Sequence, residues 1–304
     1  MATKQFDTLI QVITAFPDEQ SAIDHFTGIR WKNGAFCPYC GSTRVYHFTD
    51  KRNHKCGDCR KRFSIKVGTI FEDSKIELRK WLLAIWLITS HKKGVASTTL
   101  ARDIGVTQKT AWFMLHRLRH AARTQSFNGP LDGEVEIDET YVGGKAANRH
   151  KGDPKNGPGT AGKTAVVGAL QRGGKAVAMV VSKTDTETLD TFAHTIVSPD
   201  AMLVATDEHS GYRFLARTFH HGVVRHSAGE YVNGSYHTNG IEGFWSLLKR
   251  QIIGIHHFVS AKHLNRYVSE SAWRFNLRSI GEGARVNQLL ADANGRLRYK
   301  ELIA

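Results

Sequence analysis

The chain has 304 residues, 41% of them apolar, a proportion that supports packed cores and argues against pervasive disorder. Lys plus Arg is 42 and Asp plus Glu is 28, a formal charge of +14 that points to a polyanionic partner, nucleic acid first among them. The longest apolar run, Trp81 to Ile88, is 8 residues against the roughly 20 of a membrane span, and MATKQFDTLI has no signal-peptide apolar stretch, so a cytoplasmic protein with no membrane partner is expected.

The charge is concentrated early. Residues 1–130 carry 21 basic and 10 acidic side chains (+11), and residues 131–304 carry 21 and 18 (+3). Residues 1–30 are assigned to an N-terminal helical segment, and residues 31–70 contain all four cysteines, too few for a disulfide scaffold. They read CPYC, fifteen residues, then CGDC. Two such knuckles bring Cys37, Cys40, Cys56 and Cys59 to one ion, the closed four-thiolate set of a structural zinc site, with no ligand left for catalysis. The alternating stretches RVYHFTD and KRFSIKV predict short hairpin strands, rich in Arg60, Lys61 and Arg62 and interleaved with aromatics. Such a surface suits phosphate contacts, which give affinity without sequence information. A ribbon that contacts protein is the alternative.

Residues 75–125 carry a helical pattern at 78–91 and then GVASTTLARDIGVTQKTAWFMLHRLRHAAR. Ser97 or Thr98 is expected to cap a short helix, Gly105 to make the corner, and Thr107 to cap a second helix. A small Ala101 four residues before the glycine completes the pattern of a helix-turn-helix. Gln108, Lys109 and Thr110 then begin the second helix, where base edges are met. A helical hairpin with no DNA contact is the competing reading.

Residues 131–290 change character. Strands are predicted at 135–144, 164–170, 176–182, 201–212 and 219–227, with a helix at 185–197 before the fourth and a long helical segment over 237–255. The Gly- and Lys-rich stretch 145–163 is expected to be a loop. This order is that of a ribonuclease-H-like α/β domain with a mixed five-stranded sheet, so the whole chain is expected to be α+β and multidomain. In it the first and fourth strands are neighbours, which lets Asp138 and Asp207 converge, while Glu242 comes from the helix. Carboxylates that converge at one sheet end call for hard divalent cations, and a pair of such ions suits in-line displacement at phosphorus. Lys249, two helical turns after Glu242, is placed to hold phosphate. Asn239, three residues before Glu242, is the alternative or supporting ligand. Glu136 shares a strand face with Asp138 and is read as an ion-pair partner of a Lys or Arg. His209 and His237 are read as structural.

The motifs CPYC and CGDC, EIDETYVGGK, ATDEHSGY and HTNGIEGFWSLLKR together resemble those of bacterial insertion-sequence DDE transposases that join an N-terminal zinc ribbon to a ribonuclease-H-like domain. The resemblance covers about residues 15–290. It implies one structural Zn²⁺, two catalytic Mg²⁺ or Mn²⁺ ions on Asp138, Asp207 and Glu242, cleavage at terminal inverted repeats of double-stranded DNA, and joining of 3′ ends to a target. It also implies a homo-oligomeric synaptic complex in the bacterial nucleoid. Two other functions stay open on the residues alone: a DNA-binding regulator derived from a transposase, and a metal-dependent nuclease without strand transfer. The last part of the chain reads as a helix on the catalytic domain, with Lys262, Arg266, Arg274 and Arg278 on a basic side, followed by a tail at 291–304.

Overall fold

The computed structural model describes residues 6–123, 129–144, 150, 152, 157 and 159–303; most of the loop expected at 145–163 lies outside them. The chain divides into two units, one of Met1–Thr124 with Leu277–Ala304 and one of Gln125–Asn276. No helix among the described residues is long and apolar enough to cross a membrane.

The first unit opens with α1 (Leu9–Ala15) and α2 (Glu19–Arg30), each started by a reciprocal capping box, from Thr8 with Gln11 and from Asp18 with Ser21. The ribbon follows as antiparallel strands β1 (Val45–His47), β2 (Asn53–Cys56) and β3 (Arg62–Ser64) in that order. α3 (Leu78–Ser90) is apolar nearly all round and buries Leu78, Trp81, Leu82, Ile85, Trp86 and Ile88, as a central helix must. Its own N-cap, Glu77, makes no side-chain cap. Instead Glu19 of α2 accepts from the amides of Leu78 and Arg79, both at 2.9 Å, so α2 satisfies the open end of α3.

α4 (Ser97–Ile104) and α5 (Gln108–Arg123) meet at Gly105, whose φ of 63° lies in the left-handed region that a side chain would strain. The expected cap is corrected here. Ala96 occupies the N-cap of α4, and Ser97 is already helical. Thr107 does cap α5, its hydroxyl accepting from the Thr110 amide at 3.2 Å.

α9 (Glu282–Ala291) and α10 (Tyr299–Ile303) belong to this unit, whereas the sequence division carries the catalytic domain to 290 and leaves 291–304 as a tail. The reason is burial: Val286, Leu289 and Leu290 are covered, His25 meets Asn287 at 2.8 Å, and Ile70 donates to the Ala293 carbonyl at 2.8 Å.

The second unit is built on five strands in the order β6-β5-β4-β7-β8: β4 (Glu134–Val142), β5 (Thr164–Gln171), β6 (Ala176–Val181), β7 (Leu203–Asp207) and β8 (His221–Val224). The first three pair antiparallel, and β7 and β8 run parallel to β4, which is the ribonuclease-H-like arrangement. β7 is shorter than the expected strand because the chain turns into a 3₁₀ turn at Ser210–Tyr212. α6 (Thr186–Ile196), capped by Asp185, helps cover one face through Leu189, Phe192 and Ile196. α7 (Asn239–Gln251) and α8 (Ala261–Asn276) cover the other through Ile241, Phe244, Trp245, Leu264 and Val268. Arg274, expected on a basic side of α8, is buried and pairs with Glu270.

Two features fix α7 on the sheet. Gly168 of β5 leaves room for Trp245, since a Cβ there would sit 2.5 Å from the indole. Glu136, fully buried, accepts from the Ile241 amide in the first turn of α7 at 2.9 Å. Arg172 compensates that charge, donating to Glu136 at 2.8 Å and to the Ser235 and His237 carbonyls at 2.8 and 3.1 Å. The ion-pair reading of Glu136 therefore holds, and its partner is Arg172.

Candidate functional site

In the ribbon the four sulfurs of Cys37, Cys40, Cys56 and Cys59 lie within 4.8 Å of one another, with Cys37–Cys59 and Cys40–Cys56 both at 3.6 Å. A zinc tetrahedron with bonds of about 2.3 Å needs sulfurs about 3.8 Å apart. The amides of Asp58 and Cys59 donate to the Cys56 sulfur at 3.3 and 3.4 Å. Burial opposes ionisation of Cys56, but these bonds outweigh it and draw its thiol down to about 6. The spacing of the four sulfurs fits one tetrahedral ion. Around it Arg60, Lys61 and Arg62 are exposed, with Lys61 4.8 Å from the centre of the Tyr39 ring and Arg62 5.3 Å from that of Phe48.

At the start of α5, Gln108 and Lys109 are exposed and Thr110 is half-buried. Gln108 donates to the Ser97 hydroxyl at 2.9 Å, which ties the two helices together at that end. Lys109 stands alone of the three as an exposed cation.

The second unit carries the acidic site. β4 pairs with β7 at an offset of 69 residues (Glu136 opposite Ala205), and the same offset separates Asp138 from Asp207, two residues past the last paired ones. Asp138 is half-buried and accepts from the Trp245 indole at 2.9 Å. Asp207 accepts from the His209 amide at 3.0 Å. A third carboxylate joins them, Glu139: one oxygen from each of the three lies within 4.8 Å of the others. The Tyr212 hydroxyl donates to Glu139 at 2.8 Å, and His209 Nε2 lies 3.7 Å from its other oxygen. His209 Nδ1 accepts from the Gly211 amide, which leaves the ring proton on Nε2, facing Glu139. Burial and the charge of Glu139 hold the Tyr212 phenol well above its usual range, so it stays a donor.

Three acids this close repel one another. Burial first, then the charges of Asp207 and Glu139, push Asp138 up to about 7 against the pull of the indole. Burial likewise raises Glu139. An oxygen-only donor set of this kind, short of positive charge, fits a hard divalent cation.

Glu242 does not stand in this group, contrary to the expected set of Asp138, Asp207 and Glu242. Its carboxylate accepts from the Thr238 hydroxyl at 2.9 Å and lies 3.7 Å from His226 Nε2. Asn239 and Lys249 are exposed on the same helix. Sequence reasoning missed Glu139 because adjacent strand residues point to opposite faces. Only the end of β7 at Asp207, with the turn that brings Tyr212 and His209, lets both acids share one end of the sheet. An acidic pair, Asp138-Glu139, at the end of a buried strand was the available signal.

One chain thus carries a four-cysteine ribbon, a cornered helix pair and a ribonuclease-H-like sheet with clustered acids. Residues 130–276 match the ISXO2-like transposase domain and residues 17–62 the transposase zinc-ribbon domain. The chain is 31% identical over 270 residues, 84% of its length and 90% of the relative's, to the "Uncharacterized protein in transposable element ISH50" of Halobacterium salinarum. Among solved structures it is similar to the pre-cleavage Mos1 transpososome at 12% identity, over 70% of this chain and 79% of that one, with a TM-score of 0.25. The chain belongs to the ISXO2-like transposases of insertion sequences.

Proposed function

We propose that this transposase binds the terminal inverted repeats of its element, cleaves there in a divalent-metal-dependent reaction, and joins the 3′ ends to target DNA. The observation that carries the reading is the clustering of Asp138, Glu139 and Asp207, one oxygen of each within 4.8 Å of the others, at the end of β7. Asp138 and Asp207 would hold Mg²⁺ or Mn²⁺, with Glu242 supplying the third family position and Asn239 its alternative. Bound there, a pair of ions supplies charge stabilisation to the attacking and leaving oxygens of phosphoryl transfer. The protein's own groups orient the carboxylates: Trp245 holds Asp138, the His209 amide holds Asp207, and Tyr212 holds Glu139. Lys249 on α7 takes the phosphate. One Zn²⁺ on Cys37, Cys40, Cys56 and Cys59 stabilises the ribbon. Arg60, Lys61 and Arg62 contact backbone phosphates, and Gln108, Lys109 and Thr110 contact the terminal repeat. The working form is a homo-oligomer with paired ends, in the cytoplasm at the nucleoid.

The test is a duplex carrying the element's end, incubated with Mg²⁺ and target plasmid and scored for nicks and joined product. Joined product supports the reading; nicks alone select a nuclease, and binding with neither selects a regulator. Lys109→Ala is expected to weaken binding to that duplex and to lower the salt slope by about 1, with zinc content and melting temperature unchanged. Unchanged affinity at moderate salt would take α5 out of the interface.

The acids give a pH signature. Asp138 binds its proton more tightly in the fold, with a pKa of about 7 against 3.8, so the metal-free fold holds more protons than the unfolded chain. Its contribution to stability therefore falls as pH rises from about 4 to 7. Mn²⁺ is expected to raise the melting temperature of the second unit more at pH 8 than at pH 5.5, where the proton competes. An equal shift at both values would place the ion elsewhere.

A further inference from the structure

A groove opens at the far end of β4, lined by Tyr141, Gly143, Lys249, Ile253, His257 and Phe258 among others. Three observations mark it as more than a surface dip. Phe258 and Ile253 are 68% and 67% exposed, large apolar side chains left in water side by side at its rim. The backbone around them is irregular, with α7 running into a π-helical turn at Ile252–His256 and then His257 at φ 59°, a left-handed conformation for a residue with a side chain. Strain of that kind persists where surrounding structure enforces it, and here it presents Ile253 and Phe258 outward. Lys249 puts an exposed cation into this lining, and His257 adds an exposed imidazole.

We propose that this groove receives one unpaired nucleotide of the DNA strand next to the cleavage point, its base against Phe258 and Ile253 and its phosphate on Lys249. The inference rests on the reading of the acidic cluster as the cleavage site. Tyr141 is three residues beyond Asp138 on β4, about 10 Å along an extended strand. Lys249 is one helical turn beyond Trp245, which holds Asp138. A strand with its phosphate at Asp138 that runs along β4 toward Val142 passes the groove. Within a duplex a base has both faces covered by its neighbours, so it meets a flat apolar surface only after leaving the stack. The Lys249 ammonium and the His257 imidazole beside that surface suit the phosphate that each nucleotide carries.

The experiment uses the full zinc-loaded chain and a single-stranded oligodeoxynucleotide with one 2-aminopurine, beside the same sequence as duplex. Binding of the single strand is expected to quench the 2-aminopurine by stacking. Phe258→Ala is expected to weaken that binding about 5- to 100-fold and abolish the quench, the range seen for loss of one stacked base. Phe258→Trp should restore both. Unchanged affinity and quench in Phe258→Ala overturn the proposal. A second measurement is independent of any variant: light-induced crosslinking of the wild-type chain to a 5-iodouracil strand. Adducts in the peptide holding Ile253 and Phe258 support the groove, and adducts confined to other peptides overturn it. Quenching and these adducts without strand cleavage would keep the groove and refute the transposition reading. Cleavage with no quench would remove the groove alone.

Discussion

Asp138→Asn and Asp207→Asn are each expected to lower strand cleavage by orders of magnitude while duplex binding survives or tightens. Each removes one carboxylate charge from a cation site whose acids sit side by side, and a neutral amide repels phosphate less when no ion is bound. The neighbouring substitutions rank the third ligand. Glu242→Gln is expected to fall nearly as far, and Asn239→Ala only to slow the reaction. Glu139→Gln, held by Tyr212 and beside His209, is expected to lose about 10–100-fold as a supporting group does. A dead Glu139→Gln beside an active Glu242→Gln would move the third ligand from α7 to β4. A dead Asn239→Ala beside an active Glu242→Gln would give it to the amide. Nicking of an element-end duplex, with a gel shift on the same samples, reads all five. Full cleavage by either Asp variant would end the catalytic reading of this cluster.

Cys56→Ser is expected to release zinc and unfold the ribbon, because the ribbon buries little besides Cys37, His54, Cys56 and Phe63. A unit so small draws its folding energy from the metal. Zinc content measured by a chromogenic chelator and hydrogen exchange over residues 37–64 should change together, while exchange over β4 to β8 stays as in the wild type. Retained zinc, or an ordered ribbon without it, would contradict the site.

How much of this was legible before the structure depends on where each feature is encoded. The zinc ligands were legible because all four sit in two local knuckles, and local spacing determines which sulfurs meet. The Asp138–Asp207 pairing was legible once the strand order was fixed, since their separation of 69 residues is also the register of the parallel pair. Glu139 was not, because alternation sends it away from Asp138 and only the early end of β7 brings it back. Nor was Arg172: nothing near it in sequence says that a residue after β5 will neutralise Glu136 and clamp the chain before α7. The same holds for α9, whose apolar spacing fits any partner and whose choice of the first unit is a matter of long-range burial.

That choice bears on how the protein is made. The segment Gln125–Asn276 is inserted within the other unit, whose remaining part is Leu277–Ala304. A ribosome therefore delivers the complete acidic sheet while the unit holding the ribbon and the cornered helices still lacks α9 and α10. Domains fold as units when their residues are present, at synthesis rates of about 5–20 residues per second. Translation therefore imposes an order: all residues of the unit with the acidic sheet are made before the last helices of the unit with the ribbon. Premature termination just after α8 would leave a complete acidic sheet beside a ribbon-and-helix unit stripped of α9 and its buried Val286, Leu289 and Leu290.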